Sequence, residues 1–381
     1  MSKKVHFTIE KKELLKRLKE INGTLKEKNS NKKIKAVIFE LKNNSLIISR
    51  GNNLIYAKTK TKNVKTILKG KISIQYNILK DLLKTFPNVK LEFKFNPNIN
   101  PNIIIIKYRH MKYNVPTLEY EIYSPEPELL NYSYFKIKEN KLKRIIKRAS
   151  LTTMTNDSSK PALKGIYLEI NDNILNIVST DVYRLQHFKY ELKDFSIINN
   201  IFNCIIYTEC IDFLKNILKS YNDDMIEIRF NNNHIQIIKK DFIFSSCLMT
   251  EDRYPSYKEL IANKYHNTLI LNSNELNNTL KRIKVIKKHL GNETVYFNIE
   301  NKELSVFSQK HKGSIDKINI KKIEKNKKHK FALNLNFLLD YLKYSNEEQN
   351  IIKLIENKEG KIVQVIIIEK GLRYVIAPAP Y

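Results

Sequence analysis

The chain of 381 residues contains little of what most catalytic or metal sites require. It has eight glycines, three cysteines and eight histidines, and the motifs G-x-x-x-x-G-K-[ST], G-x-G-x-x-G, H-E-x-x-H and C-x-x-C are all missing. A loop that cradles phosphate is difficult to build from so few glycines. The scattered histidines pair with no cysteine or carboxylate at ligand spacing, so we expect no metal and no cofactor.

Cysteine usage and hydropathy both point to the cell interior. Cys204, Cys210 and Cys247 are an odd number in a long chain, which argues against a disulfide framework and favours a reducing cytoplasm. The first residues, MSKKVHFTIE, lack the apolar stretch of a signal peptide, and no apolar run approaches the roughly 18 residues of a membrane span. We therefore expect a cytoplasmic protein without a membrane segment.

Positive charge is the strongest compositional feature. The chain has 68 Lys and Arg against 39 Asp and Glu, a formal net charge of +29. Such an excess favours polyanionic partners or anionic membrane surfaces, although part of it reflects a sequence in which Lys, Asn and Ile are abundant everywhere. Because 381 residues exceed what one compact core usually holds, we expect two or three domains.

One unit occurs three times along the chain. Each copy has an alternating strand, a turn rich in Asn, Asp or Glu, and a second alternating strand. Phe39, Leu168 and Phe297 occupy equivalent places, so the period is about 129 residues. This period is too long for a solenoid repeat and indicates three copies of a whole α+β domain. The copies are AVIFELKNNSLIISRGNNL from Ala36, GIYLEINDNILNIVSTDVYRL from Gly165 and TVYFNIENKELSVFSQKHKGS from Thr294.

Two amphipathic helices accompany each hairpin. The first set covers 11–21, 139–150 and 272–288, and the second covers 76–86, 208–220 and 334–344. The first set has basic outer faces, which either bind phosphates without reading bases or are solvated surfaces of a Lys-rich protein. The expected inward residues are Leu14, Leu18, Ile21, Leu142, Ile145, Ile146, Ala149, Leu276, Leu280 and Ile283. The expected outward residues are Lys12, Lys16, Lys19, Lys143, Arg144, Lys147, Arg148, Lys281, Arg282, Lys284 and Lys288.

One apolar residue interrupts the basic face of the third of these helices. Val285 lies about half a turn from the stripe that contains Leu280 and Ile283, so it points away from its own core. Exposed valines are common, but this one is also consistent with a subunit contact.

The segment STDVYRL, residues 179–185, concentrates polar chemistry at the end of an alternating strand. Thr180, Asp181, Tyr183 and Arg184 include a carboxylate and a guanidinium, yet no second carboxylate, nucleophile elbow or histidine lies nearby in sequence. From these residues alone, three interpretations stay open. They are an active site, a structural Asp–Arg pair at the strand end, and a binding site.

At this point the sequence resembles the bacterial DNA polymerase III beta subunit family, the sliding clamps. The resemblance covers essentially the whole chain and depends most on PALKGIYLEI, STDVYRL, YPSY and the terminal YVIAPAPY. It implies three clamp domains, 1–128, 129–262 and 263–381, with antiparallel sheets outside and two helices per domain inside. It also implies a homodimeric ring around double-stranded DNA, which acts as a non-catalytic processivity factor.

The resemblance further implies a pocket between the second and third domains that grips short peptides. These peptides are carried by the replicative polymerase alpha subunit, the clamp loader and other proteins with the clamp-binding motif. Val182 stands where the family has Gly, and alanines replace two methionines, so the expected pocket is less adaptable. Its residues would be Leu163, Thr180, Tyr183, Arg184, Leu185, Pro255, Leu260, Phe337, Val375, Ala377, Pro378 and Ala379.

The same resemblance assigns residues to the DNA-facing surface and to the subunit interface. Its assignment of Val285 agrees with the exposed position that the helical pattern predicts. The interface residues would be Tyr113, Val285 and Ile286. The DNA contacts would be Lys16, Lys19, Lys28, Lys147, Arg148 and Lys160.

Two other function classes compete with a clamp. A nuclease or ligase accessory would use Asp181 and Arg184 and would hydrolyse DNA with Mg²⁺. A basic RNA-binding or scaffolding protein without a ring would bind linear and circular DNA equally well.

Overall fold

A computed structural model of the chain describes residues 4–22, 36–118, 127, 129–155, 159–197, 201–249, 253–262, 264–309 and 315–381. Strands and short helices alternate along it, which confirms the predicted α+β class. The first third contains β1 (Val5–Glu10), α1 (Lys11–Ile21), β2 (Ala36–Lys42), β3 (Ser45–Gly51), β4 (Ile55–Thr61), β5 (Val64–Leu68), β6 (Lys71–Gln75), α2 (Tyr76–Thr85), β7 (Lys90–Phe95), β8 (Ile103–Tyr108) and β9 (Met111–Pro116).

The same order of elements recurs in the rest of the chain. The middle third contains β10 (Ser133–Lys138), α3 (Glu139–Ala149), a 3₁₀ helix (Pro161–Lys164), β11 (Ile166–Asn171), β12 (Ile174–Thr180), β13 (Arg184–Glu191), β14 (Phe195–Ser196), β15 (Ile201–Ile206), α4 (Thr208–Ile217), β16 (Met225–Phe230), β17 (His234–Lys239), β18 (Phe242–Met249) and α5 (Tyr257–Leu260). The last third contains β19 (Asn267–Asn272), α6 (Ser273–Leu290), β20 (Thr294–Glu300), β21 (Glu303–Phe307), β22 (Ile315–Asn319), β23 (Lys322–Ile323), β24 (His329–Asn334), α7 (Leu335–Leu342), β25 (Gln349–Glu356), β26 (Ile362–Glu369) and β27 (Leu372–Ile376).

The three predicted hairpins are present as antiparallel pairs. In each, the equivalent apolar residue faces a buried residue of the partner strand, because alternate side chains of a strand point to one face. The pairs are Phe39 with Ile48, Leu168 with Ile177, and Phe297 with Val306.

Their turns explain the Asn and Asp residues between the strands. Asn43 and Asn44 have φ of 46° and 56°, and Asn301 and Lys302 have φ of 52° and 62°. Two-residue turns with positive φ match the twist of antiparallel strands, and Asn and Asp tolerate that conformation better than most residues. Asp172 has φ of 55° in the middle hairpin. The polar turns are therefore required by backbone geometry.

All six predicted amphipathic helices are confirmed, with ends within three residues of the predicted positions. The ends of α6 show why the sequence predicted it well. Asn272 caps its start, with Oδ1 accepting from the backbone N–H of Asn274 at 2.9 Å and of Glu275 at 3.0 Å. Gly291 follows its last residue with φ of 70°, a conformation that glycine adopts without strain.

The predicted facing is correct for α1 and α6 and partly wrong for α3. Lys143 and Arg148 are 6% and 2% exposed, so they do not belong to an outward basic face. Lys143 Nζ donates to the carbonyl of Lys215. Arg148 Nη1 pairs with Glu369 Oε2 at 2.8 Å, and Arg144 Nη2 lies 2.6 Å from Glu369 Oε1. Acceptors outside the helix therefore draw two of its cations inward, which helical periodicity cannot register.

The chain divides into two compact units. The first comprises 1–143, 192–199 and 206–250. It contains a sheet in the order β5-β1-β7-β8-β9, and a longer sheet in the order β6-β2-β3-β4-β18-β17-β16-β10-β14. Its core is aromatic, with Phe7 stacked on Phe93 at 4.7 Å and Phe213 on Phe244 at 4.4 Å between ring centroids.

The second unit comprises 144–191, 200–205 and 251–381. It contains a sheet in the order β22-β21-β20-β24, and a longer sheet in the order β15-β11-β12-β13-β27-β26-β25-β19-β23. Within it, β13 of the second repeat pairs with β27 of the third. The three-domain division with boundaries at 128/129 and 262/263 stays a prediction.

The buried charges of the second unit yield a stability prediction. Glu369→Ala leaves the Arg148 guanidinium buried without its carboxylate, so we expect the free energy of unfolding to fall by about 3–5 kcal/mol. Urea denaturation followed by circular dichroism measures it.

Glu359→Ala is the matched control. Glu359 pairs with Lys361 at 2.9 Å, but the two side chains are 67% and 76% exposed, so we expect a loss below about 1 kcal/mol. Equal losses in the two variants would contradict a special role for the buried pair.

Candidate functional site

The turn between β12 and β13 is held by its own side chains. Thr180 Oγ1 donates to the carbonyl of Arg184 at 2.7 Å and accepts from the N–H of Val182 at 3.1 Å. Asp181 Oδ1 accepts from the N–H groups of Tyr183 and Arg184 at 3.2 and 3.0 Å. Short Thr and Asp side chains bond to nearby backbone in this way and stabilise turns. This segment is thus an ordered structure with a defined outer surface.

Two residues project from this turn. Val182 and Tyr183 are 54% and 66% exposed. Val182 has φ of 80°, a left-handed conformation that is unfavourable for a β-branched residue. The replacement of the family's Gly therefore falls at a position where glycine would be unstrained.

Arg184 anchors the turn to other segments of the second unit. Nε donates to Asp181 Oδ2 at 2.8 Å, which confirms the predicted Asp–Arg pair. Nη1 donates to Asp340 Oδ2 at 2.7 Å and lies 3.3 Å from the hydroxyl of Tyr374. Nη2 donates to the carbonyl of Leu151 at 2.6 Å. The guanidinium is therefore a structural cross-link among four segments of the second unit.

Electrostatics agrees with this anchoring role. Burial by itself would lower the pKa of Arg184, but the Tyr374 hydroxyl and hydrogen bonds to Asp340 and Asp181 outweigh it and raise that pKa above its ordinary value. Burial has the opposite effect on Tyr374. It raises the pKa of the hydroxyl, which therefore stays protonated. Neither group exchanges a proton near neutral pH, so neither is suited to acid–base catalysis.

Strand pairing brings the end of the chain to this turn. Leu185 pairs with Val375 in the β13–β27 ladder, and the N–H of Ala377 donates to the carbonyl of Tyr183 at 2.9 Å. Phe337 of α7 lies under Arg184, with 4.2 Å between the guanidinium carbon and the ring centroid. Three distant parts of the sequence therefore form one surface.

The predicted pocket residues separate into a surface layer and a supporting layer. Leu163, Leu185 and Val375 are 6% exposed or less. Leu185 and Val375 pack in a buried cluster with Tyr257, which places α5 against the same sheet face. Thr180 is buried as well. The remaining predicted residues are exposed or half-buried, and they are Tyr183, Arg184, Pro255, Leu260, Phe337, Ala377, Pro378 and Ala379.

The predicted DNA contacts differ in accessibility. Lys16, Lys19 and Lys160 are exposed, and Lys147 is half-buried. Arg148 is the exception, because its guanidinium is buried against Glu369, and we correct its assignment to the exposed basic surface. Lys28 lies outside the described residues.

The predicted interface residues lie on an edge strand and on a helix surface. Tyr113 is half-buried on β9, which ends its sheet within the described residues. Val285 is 66% exposed on α6, as the helical pattern predicted, and Ile286 is half-buried. Their role in a subunit contact stays a prediction.

The sequence did not indicate the distant partners of Arg184, nor a cavity of about 320 Å³ beside the site. Asp340 and Tyr374 are too far along the chain for any local pattern to indicate them. The cavity had one weak signal, because alternation along RLQHFKYE places His187 on the same face as Leu185.

Within the described ranges, no three His, Cys, Asp or Glu side chains meet in a way that could hold a metal ion. Among the described helices, none combines the length and apolar character that crossing a bilayer requires.

Comparison with known families decides the identity of the fold. The family model for the N-terminal domain of the DNA polymerase III beta subunit matches residues 5–127. The family model for the central domain matches residues 136–256. The chain belongs to the bacterial DNA polymerase III beta subunit family. Subunits of this family are non-catalytic sliding clamps, so the nuclease or ligase interpretation of Asp181 and Arg184 is wrong.

Relatives and solved structures span the whole chain. A beta sliding clamp from Buchnera aphidicola is 26% identical, with 94% of this chain and 95% of that protein covered. One from Streptococcus pneumoniae is 24% identical, covering 92% and 93%. The sliding clamp structure from Bacillus subtilis has a TM-score of 0.89 at 17% identity and covers all of both chains. The Helicobacter pylori beta clamp bound to a DNA ligase peptide has a TM-score of 0.84 at 16% identity, covering 98% and 100%.

The strained turn residue yields a prediction for this clamp subunit. Val182→Gly should raise the free energy of unfolding by about 1 kcal/mol, because glycine removes the left-handed strain and an exposed valine contributes little packing. Thermal unfolding measures it.

Asn44→Gly is the control, because Asn44 also has positive φ, at 56°, but is a residue type that tolerates it. We expect a smaller change there. A loss of stability in Val182→Gly would show that the valine side chain supports the turn.

Proposed function

We propose that two copies of this chain close head to tail into a ring around double-stranded DNA, and that the ring tethers the replicative DNA polymerase to its template. The family match across the N-terminal and central domains carries this proposal. The other partners are the clamp loader and further proteins with a clamp-binding motif. The protein works in the cytoplasm, where bacterial chromosomes are copied, and it needs no cofactor.

Contact with DNA is electrostatic and independent of sequence. Lys16, Lys19, Lys147 and Lys160 supply accessible cations, and α6 adds an exposed basic face. Phosphate contacts of this kind carry no base information, and their affinity falls with salt at a log-log slope of about −0.9 per neutralised phosphate. Enclosure of the duplex would supply persistence, while weak contacts leave the ring free to slide.

A short peptide from each partner protein binds at the turn that Arg184 anchors. Tyr183, Phe337 and Ala377 would contact it, with Pro255, Leu260, Pro378 and Ala379 around them and Leu163, Thr180, Leu185 and Val375 in support. The exposed apolar surface at a fixed turn supports this assignment, since such surface commonly marks a binding site. The Helicobacter pylori clamp with its DNA ligase peptide provides a parallel. An anchor peptide of this size binds near micromolar affinity, about −8 kcal/mol.

The subunit contact involves Tyr113, Val285 and Ile286. An edge strand such as β9 presents unpaired N–H and C=O groups that another chain can complete. Val285, exposed on α6, would supply an apolar group from the other surface of the contact. A head-to-tail contact of two different surfaces generates a closed ring when the rotation between copies closes.

Retention on circular DNA tests the ring. Loaded with a clamp loader and ATP, the protein should stay on a nicked circle during gel filtration and be lost once the circle is cut, because a ring slides off free ends. Equal retention on circular and linear DNA would favour the scaffolding alternative and reject the clamp.

A companion variant tests the proposed subunit contact. Val285→Asp should give monomers in sedimentation and lose retention on circles, because a charge cannot be buried without a partner. Val363→Asp, at a valine that is 47% exposed, is the control and should remain dimeric. A dimer that persists in Val285→Asp would move the contact elsewhere.

The peptide site is tested at its most exposed aromatic residue. Tyr183→Ala should weaken binding of a fluorescent Gln-x-x-Leu-Phe peptide about tenfold, because aromatic anchors dominate such contacts. Fluorescence anisotropy measures the affinity. Tyr221→Ala is the control at a tyrosine that is 83% exposed, and we expect no change. Unaltered affinity in Tyr183→Ala would remove this turn from the site.

A further inference from the structure

The cavity of about 320 Å³ lies on the sheet face that supports the turn, further along β13 and β27. Leu185 pairs with Val375, and two positions along the same strands His187 pairs with Arg373. Alternate residues share a face of a sheet, so His187 and Arg373 lie on the face of the Leu185 cluster. Here they line a cavity of about 320 Å³, to which none of the predicted peptide-pocket residues contributes.

His187 is the most unusual group in this cavity. The residue is 4% exposed, and its Nε2 bonds to Asn176 Oδ1 at 2.9 Å. Its ring lies edge-on to Tyr257 at 5.0 Å. Its Nδ1 is buried and has no hydrogen-bond partner among the described residues. A buried polar atom without a partner is costly, so His187 is held beside the cavity at an energetic cost to the fold.

The charges around His187 leave a positive excess. The carboxylate of Glu169 already has partners, because it accepts from the hydroxyl of Tyr257 at 2.5 Å and from Lys258 Nζ at 3.0 Å. Lys189 and Arg373 also line the cavity, and among the described residues neither has an ion-pair partner. Asp172 is the other carboxylate of the lining and lies exposed on the hairpin turn. Asp172 offsets one of these two cations, so the lining keeps an excess of one positive charge.

We propose that this cavity binds a small organic anion that carries a carboxylate or phosphate group. Arg373 and Lys189 would hold the anionic group, and the imidazole of His187 beside it would add electrostatic attraction when protonated. Ile174, Tyr257 and Ile261 supply apolar lining for the rest of the molecule. A volume of about 320 Å³ is at the small end of ligand sites, which excludes a folded partner or duplex DNA. The site does not depend on the ring or on the peptide site.

Proton uptake should accompany binding. Burial lowers the pKa of His187 to about 4, and the positive charges of Lys189 and Arg373 add to this decrease. The charge of Lys258 lowers the pKa further, whereas that of Glu169 raises it. An anion bound in the cavity would stabilise the imidazolium of His187 and raise that pKa. The bound state then holds more protons than the free state, so affinity should rise as the pH falls from about 8 towards 5.

Calorimetric titration of the full chain tests the site, with citrate and glycerol 3-phosphate as separate probes at constant ionic strength. We expect saturable binding of at least one probe with one site per chain. The probe that binds distinguishes a carboxylate from a phosphate ligand. Absence of saturable binding for both probes, at any pH between 5 and 8, would overturn the proposal.

Variants separate this site from the general positive charge of the chain. Arg373→Gln should weaken binding about tenfold, and the exposed Lys189→Gln about threefold, because each removes one charge-assisted contact. Lys321→Gln removes an exposed charge outside the cavity and should leave affinity unchanged. Equal weakening in all three variants would show non-specific attraction and reject the site. His187→Gln should remove the rise in affinity at low pH and leave only the effect of the probe's own titration. The Lys189 variant keeps the test valid if that protein does not fold.

Discussion

Backbone hydrogen bonding between strands of different repeats is the interaction on which this structure depends. In one compact unit β4 pairs with β18, and in the other β13 pairs with β27. The second ladder has a direct effect on the candidate site, because its register places Ala377 where it can donate to Tyr183. Without this ladder, the turn after β12 and the C-terminal segment would have no reason to meet.

Local features of the fold could be predicted because local physics determines them. The hairpins follow from two-residue periodicity and from Asn and Asp in turns that require positive φ. The helices follow from apolar spacing and from capping residues such as Asn272 and Gly291. The facing of α3 could not be predicted, because Arg148 is drawn inward by Glu369, which lies 221 positions along the chain. A periodic pattern describes the helix alone and contains no information about distant acceptors.

The candidate site shows the same division. The pair of Asp181 and Arg184 is close in sequence and was foreseen, whereas Asp340 lies 156 positions away and was not. Resemblance to the clamp family predicts the peptide pocket, but it does not indicate that Leu185 and Val375 lie in a buried cluster beneath the turn. The cavity around His187 left hardly any trace in the sequence, because its lining comes from four strands and a single helical turn.

The seams between repeats also bear on how this lineage tolerates change. Main-chain amide and carbonyl groups are common to nearly every residue type, so a ladder such as β13–β27 places few demands on side-chain identity. Outward-facing positions can drift towards lysine and asparagine while the joints persist. The Bacillus subtilis clamp shows that the fold itself persists at low identity, since its TM-score is 0.89 although 17% of its residues are identical. Architecture and surface chemistry can thus evolve at different rates, which lets one scaffold acquire a strongly cationic exterior.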